Sequence, residues 1–136
     1  LINFKANFNY IESHSISKDI SAFMYLMAYP CFPDLETFII QNNIDINYQD
    51  YYGRTALIHL INSKKNIIKI SKNIYNEAFN SLINNKKIKL FLRDNNGCSP
   101  FLLCLINEYY DDAKEIYNKH VDNMFTEINL DILLLL

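Results

Sequence analysis

The chain has few glycine and proline residues and no tryptophan: its 136 residues include Gly 2, Pro 3 and Trp 0. Folds built from many β-hairpins need turn residues in quantity, so this composition argues against them. Hydrophobic residues make up 50% of the chain, which is enough for a continuous core. We therefore expect one all-α domain that covers residues 1–136.

No apolar run in the sequence is long enough to cross a membrane. The longest, from Leu130 to Leu136, falls far short of the roughly 20 residues that a span requires. Lys5 is followed by a polar stretch, so no secretory signal is predicted. Three cysteines without metal-type spacing indicate free thiols, as in a protein of the cytoplasm or the nucleus.

The charge of the chain argues against a nucleic-acid partner. The formal net charge is −2, and such a balance gives no broad field to attract phosphates. Seven lysines nevertheless make one part of the chain basic. They form either a solvated face or a site for an acidic partner. They are Lys64, Lys65, Lys69, Lys72, Lys86, Lys87 and Lys89.

The sequence contains no arrangement typical of catalysis or of metal binding. Its two glycines are far apart, so no phosphate-binding loop is formed. A zinc site from Cys98, Cys104 and His120 would lack a fourth ligand, and His59 has no acidic partner that the sequence identifies. We expect no enzymatic activity, cofactor, metal or small-molecule substrate.

Both glycines lie at the same position of a repeated motif. The first motif is Asp50-Tyr-Tyr-Gly-Arg-Thr-Ala-Leu57 and the second is Asp94-Asn-Asn-Gly-Cys-Ser-Pro-Phe101, 44 residues later. In each motif a turn that requires positive φ is followed by a hydroxyl residue that can cap a helix, Thr55 or Ser99. A weaker third copy begins at Ser21, with Asp19 in place of the glycine. The motifs predict a turn followed by a helix, used repeatedly.

The order of these segments resembles the ankyrin repeat, in which a turn, a short helix and a longer helix recur about every 33 residues. The match is best from Asp34 to Ile61. It implies an ankyrin-like solenoid with repeats at about 17–50, 51–94 and 95–136, truncated at both ends. The apolar last segment then indicates either further repeats or a helix that caps the array. The second repeat has roughly 11 extra residues, which we place within 64–73.

The resemblance also implies a function, namely binding of a partner protein through the turn tips and the concave face of the inner helices. The first group of contacts is expected at Gln49, Tyr51, Tyr52, Arg54, Asn62 and Ser63. The next repeat contributes Arg93, Asn95 and Asn96, with Cys98 beside them. Tyr51, Tyr52 and Arg54 are the strongest candidates, because tyrosine and arginine are enriched among the residues that dominate interfaces. The alternative is a spacer or regulatory segment of a larger multidomain enzyme or membrane protein.

Apolar positions on the predicted helices define the expected core. These residues are Phe23, Leu26, Phe38, Ile39, Leu57, Leu60, Phe79, Leu82, Phe101 and Leu105.

Overall fold

The protein is helical, and its structure is a computed structural model that describes residues 9, 11–12, 20–30, 34–69, 71–119, 129, 131 and 133–135. The helices are α1 (Ala22–Ala28), α2 (Leu35–Gln41), α3 (Ala56–Ser63), α4 (Lys72–Ile83), α5 (Pro100–Ile106) and α6 (Tyr110–Lys119). A 3₁₀ helix, Lys64–Lys69, follows α3. Residues 129, 131 and 133–135 are also helical.

A two-residue antiparallel ladder precedes α1 and was not predicted. Strand β1 (Ile11–Glu12) pairs with β2 (Ile20–Ser21), with Ile11 opposite Ser21. This ladder has only two residues in each strand. All the other described elements are helices, so the prediction of a helical chain is confirmed.

The helices form two rows. In the inner row, α1 packs against α3 and α3 packs against α5; in the outer row, α2 packs against α4. Helix α4 also contacts α3, and α6 contacts α5. Consecutive hairpins therefore lie side by side, and each buries its apolar face against its neighbour.

Hydroxyl side chains cap all three inner helices, as the motifs predict. Ser21 Oγ accepts the Met24 amide at 3.2 Å, Thr55 Oγ1 accepts the Ile58 amide at 3.4 Å and Ser99 Oγ accepts the Leu102 amide at 3.0 Å. These bonds satisfy backbone donors that a helix cannot pair internally. At Ser21, the third copy thus has the same helix cap as the other two.

The core contains the apolar residues that the helical spacing predicts. Three of the ten, Leu26, Phe38 and Leu105, are only partly buried and pack against its edge. The other seven are buried: Phe23, Ile39, Leu57, Leu60, Phe79, Leu82 and Phe101. The extra residues of the second repeat form the 3₁₀ helix and part of a longer outer helix, since α4 has 12 residues against seven in α2.

The two glycine motifs form turns with the same hydrogen bonds. In the first turn, residues 50–54, the Asp50 amide donates to Arg54 O at 3.0 Å and the Gly53 amide donates to Asp50 O at 2.8 Å. In the second turn, residues 94–98, Asp94 and Gly97 make the corresponding bonds at 3.0 and 2.9 Å. Both glycines have positive φ, 75° and 81°. The motifs are therefore equivalent in structure as well as in sequence.

The second turn is hydrogen-bonded to the first. The Asn95 amide donates to Tyr52 O at 2.9 Å, and its side-chain Nδ2 donates to Tyr51 O at 2.9 Å. Gln49 Nε2 donates both to Gly53 O and to Arg93 O, at 2.8 and 2.9 Å. These bonds set the position of one turn relative to the next.

A second asparagine contact recurs between the loops that precede the turns. Asn47 Nδ2 donates to Lys87 O and Asn47 Oδ1 accepts the Lys89 amide, both at 2.8 Å. Asn9 makes the same pair of bonds with Asn43 O and the Asp45 amide. The segment Asn9-Tyr-Ile-Glu12 matches Asn47-Tyr-Gln-Asp50 in sequence, so the repeating pattern extends upstream to residue 9.

Some residues named in the sequence analysis lie outside the described residues, namely Lys5, Asp19, His120, Leu130 and Leu136.

Alanine at the two glycines should have unequal effects on stability. A Cβ on Gly53 would lie 2.8 Å from Asn95 Oδ1 and 3.0 Å from its amide nitrogen, whereas a Cβ on Gly97 has no described atom within 4 Å. Gly97→Ala should lower the free energy of unfolding by about 1 kcal/mol, the cost of positive φ. Gly53→Ala adds the displacement of the neighbouring turn and should cost about 2 to 4 kcal/mol. Urea unfolding measures both; equal losses would mean that the turns do not pack as described.

Candidate functional site

The tip of the first turn exposes two tyrosine side chains. Tyr51 is 57% and Tyr52 is 42% exposed. Their rings meet edge to face, with centroids 5.3 Å apart and an interplanar angle of 90°. Large exposed aromatic rings at the end of a hydrogen-bonded turn form a surface that a partner can bury.

Arg54 packs against this pair from the side of the core. Its Cζ lies 4.8 Å from the centroid of the Tyr52 ring, and its Nε donates to Asp50 Oδ2 at 2.9 Å. The Arg54 side chain is 29% exposed and the Asp50 side chain is fully buried. Arg54 therefore mainly supports the Tyr52 ring. The buried carboxylate of Asp50 compensates the charge of the Arg54 guanidinium group.

His59 has an acidic partner, Asp50, that the sequence did not identify. His59 Nε2 lies 2.9 Å from Asp50 Oδ2, although nine residues separate them in the chain. The turn that ends at the cap residue Thr55 places Asp50 next to the beginning of α3. The spacing Asp-x₈-His could have suggested this pair, but only once the turn and the helix had been placed.

Among the described residues, the pair formed by His59 and Asp50 has no third group of the kind that nucleophilic catalysis uses. Burial lowers the pKa of His59 below 6.5, although the hydrogen bond to Asp50 opposes this. Within the described residues, no hydroxyl or thiol is hydrogen-bonded to His59. Burial also raises the pKa of Cys104, to about 12, and that of Cys98, so both thiols stay protonated at neutral pH.

The structure divides the other predicted contact residues into exposed and internal groups. Asn95 and Asn96 are exposed at the second turn, next to the tyrosine pair, and Asn62 is half-buried on α3. Gln49 is exposed, but its amide is occupied in holding the two turns together. These four positions remain predictions of partner contact.

Ser63 and Arg93 make contacts within the fold. Ser63 is buried, and its hydroxyl donates to Leu60 O at 2.6 Å. Arg93 is half-buried: its Nη1 donates to Gly97 O at 3.0 Å and pairs with the buried carboxylate of Asp131. Partner contact through these two side chains stays a prediction.

One of the seven clustered lysines is also internal. Lys64 Nζ lies 2.7 Å from Asp112 Oδ2, and its ammonium group faces the rings of Tyr75 and Tyr109. Asp112 additionally accepts the hydroxyl of the buried Tyr75 at 2.8 Å. This ion pair ties the insertion to α6, so Lys64 is not part of a solvated basic face. Among the six others, Lys65, Lys72, Lys86, Lys87 and Lys89 are exposed.

A groove of about 400 Å³ lies between the ends of α2 and α4. Ile39, Ile40 and Ile44 form its apolar part, and Lys86 and Lys87 lie at its edge. None of the nine predicted partner residues lines it. The groove and the tyrosine pair are separate features.

The described residues contain no cluster of three histidine, cysteine, aspartate or glutamate side chains that could hold a metal ion. In the same part of the chain, no helix has the length and apolar character that would let it cross a bilayer.

Comparison with known proteins supports the repeat interpretation. No protein-family model matches the chain. Over 100 residues, 71% of its length, the chain is 33% identical to a protein of Acanthamoeba polyphaga mimivirus that carries the name ankyrin repeat protein. The matched segment spans only 12% of that viral protein. The similarity suggests ankyrin-like repeats, consistent with the paired hairpins and equivalent turns described above.

Stability should depend on pH through His59. The unfolded chain takes up a proton on His59 as the pH falls through about 6.5, whereas the folded chain does so only at lower pH because burial lowers the pKa. The contribution of His59 to stability should therefore be constant above that pH and decline below it. His59→Leu removes this contribution, so the difference in unfolding free energy between the wild type and the variant should shrink from pH 7.5 to pH 5. Urea unfolding across the range checks this; a difference that stays constant or grows would contradict it.

Proposed function

We propose that this chain is an ankyrin-like solenoid module that holds a partner protein and has no catalytic activity. The contact surface comprises the exposed tips of the two turns, with Tyr51 and Tyr52 at its centre and Asn95 and Asn96 beside them. Asn62 extends it along the inner helix. One observation carries the proposal: an exposed aromatic pair lies on a turn whose backbone is fixed by hydrogen bonds within the turn and to the following turn.

The physical argument concerns entropy and buried area. Tyrosine offers a large surface with only two side-chain torsions, so little freedom is lost when a partner covers it. The tip backbone is already ordered, because Asn95 binds the carbonyls of both tyrosines. An interface centred here would therefore convert a large share of its buried area into affinity.

The match to a small part of a long viral protein agrees with a module inside a larger polypeptide. A spacer or regulatory segment of such a polypeptide would show the same similarity. The two functions differ only in whether the tyrosine tip binds anything.

A triple variant, Tyr51→Ala with Tyr52→Ala and Arg54→Ala, tests the proposal. Binders are selected from a displayed library of random peptides against the wild-type protein, and their Kd values are then measured on each variant. Most independent binders should lose at least about 30-fold in affinity on the triple variant, equivalent to about 2 kcal/mol. Circular dichroism checks that the helices are retained.

A matched control comes from α6, where Tyr110 is 62% and Tyr117 is 43% exposed. Tyr110→Ala with Tyr117→Ala and Lys114→Ala removes two similarly exposed tyrosines and one cation elsewhere. Binders should tolerate this control. If the two triple variants weaken equal shares of the binders, the first turn is no preferred surface and the spacer function is favoured.

A further inference from the structure

The carboxylate of Asp50 has a hydrogen-bond donor at every acceptor position. Oδ1 accepts the amides of Tyr52 and Arg54, each at 2.9 Å. Oδ2 accepts Arg54 Nε and lies 2.9 Å from His59 Nε2. A carboxylate offers about four acceptor positions, so this buried group is fully satisfied. We name Asp50, Arg54 and His59 the Asp50 clamp.

The second turn closes without such a clamp. Asp94 Oδ1 accepts the amides of Asn96 and Cys98 at 2.9 Å, as Asp50 does with its own turn. Cys98 occupies the position of Arg54, and Leu103 occupies that of His59. Neither can donate as arginine or histidine does, and no described residue donates to Asp94 Oδ2. A turn of this geometry therefore forms when one carboxylate oxygen of the aspartate, Oδ1, accepts the two amides.

Of the two turns 50–54 and 94–98, the one whose tip bears tyrosines has the additional donors. From His59 the contacts run through Asp50 to Arg54, whose guanidinium group lies against the Tyr52 ring. Tyr52 in turn meets Tyr51 edge to face. The first turn thus has a continuous set of contacts from the inner helix to the exposed rings.

We infer that His59 and Arg54 are positioning residues that hold the Tyr51–Tyr52 pair in its binding conformation, and that this pair recognises an uncharged, aromatic or aliphatic segment of a partner. The inference rests on the proposed function and deepens it. Rings that are already held in place lose less conformational entropy when a partner binds, so more of the contact energy appears as affinity.

The chemistry of the partner follows from charge compensation. The Arg54 charge is paired with Asp50, and the Arg93 charge is paired with Asp131. Asp94 binds two amides of its own turn through Oδ1 and is half-buried, whereas the exposed side chains Asn95 and Asn96 are neutral. Exposed tyrosine rings and amides favour apolar contact with a few hydrogen bonds over recognition of phosphate or carboxylate groups.

Amide hydrogen exchange tests the positioning role without any partner. His59→Leu installs the residue type found at the equivalent position of the second repeat, so the fold should be retained. Exchange of the Tyr52 and Arg54 amides should become at least about 10-fold faster, because Asp50 Oδ1 is no longer held in place. The Asn96 and Cys98 amides serve as internal references and should not change. Leu103→Met, a conservative change in the second repeat, is the matched control and should alter neither turn.

Arg54→Met provides a second variant should His59→Leu not fold, since it keeps the aliphatic stem over Tyr52 and removes the charged donor. It should accelerate exchange of the same two amides. If all four turn amides exchange faster together, or none does, the clamp has a general structural role and the inference is overturned.

Binding measurements complete the test, using the library peptides that depend on the tyrosine tip. His59→Leu and Arg54→Met should each weaken their Kd about 10-fold although both tyrosines remain. The affinity of the wild type should change little between low and moderate salt, because the exposed side chains Tyr51, Tyr52, Asn95 and Asn96 carry no charge. Faster exchange with unchanged affinity, or steep salt dependence, would overturn the inference. A different result would show that the proposed function itself is wrong: the library would then yield no peptides whose binding depends on the tyrosine tip.

Discussion

The carboxylate of one aspartate closes each turn from inside, and the rest of the described structure depends on that closure. Asp50 and Asp94 each bind two amides of their own turn, which directs the tip carbonyl groups outward. Two of those carbonyls, on Tyr51 and Tyr52, then accept Asn95 of the following turn. A local hydrogen-bond pattern thereby determines how consecutive hairpins stack.

The same closure connects folding with the proposed binding surface. Because each turn ends at a hydroxyl cap, the orientation of an inner helix is fixed relative to its own tip. The apolar faces of α1, α3 and α5 pack in a row and leave the tips at one edge. Side chains at that edge contribute little to the core and are free to serve recognition. In this chain the edge bears a supported tyrosine pair.

Features governed by local rules could be predicted from the sequence. Gly53 requires positive φ, and Thr55 and Ser99 are helix caps, because each depends on residues within a few positions. The apolar core followed from helical spacing in the same way.

Features that depend on tertiary contact could not be predicted. Lys64 meets Asp112 and Arg93 meets Asp131, each across a separation that only the stacked fold brings together. His59 meets Asp50 within one repeat, but only after the turn and α3 have been placed. The burial of Ser63 also depends on the packing of α3 in the fold. Long charged side chains predicted at the surface were therefore the least reliable assignments, because a single acidic partner decides whether they point inward.

The hydrogen bond from the Asn95 amide to Tyr52 O is the most direct test of the account, because it exists only if the two turns are stacked. Nuclear magnetic resonance can detect it as a scalar coupling between the Asn95 amide nitrogen and the Tyr52 carbonyl carbon. We predict that the coupling is observed with the wild-type protein and lost in Gly53→Ala. Its absence from the wild type, in spectra that show such couplings within α4, would contradict the stacked arrangement.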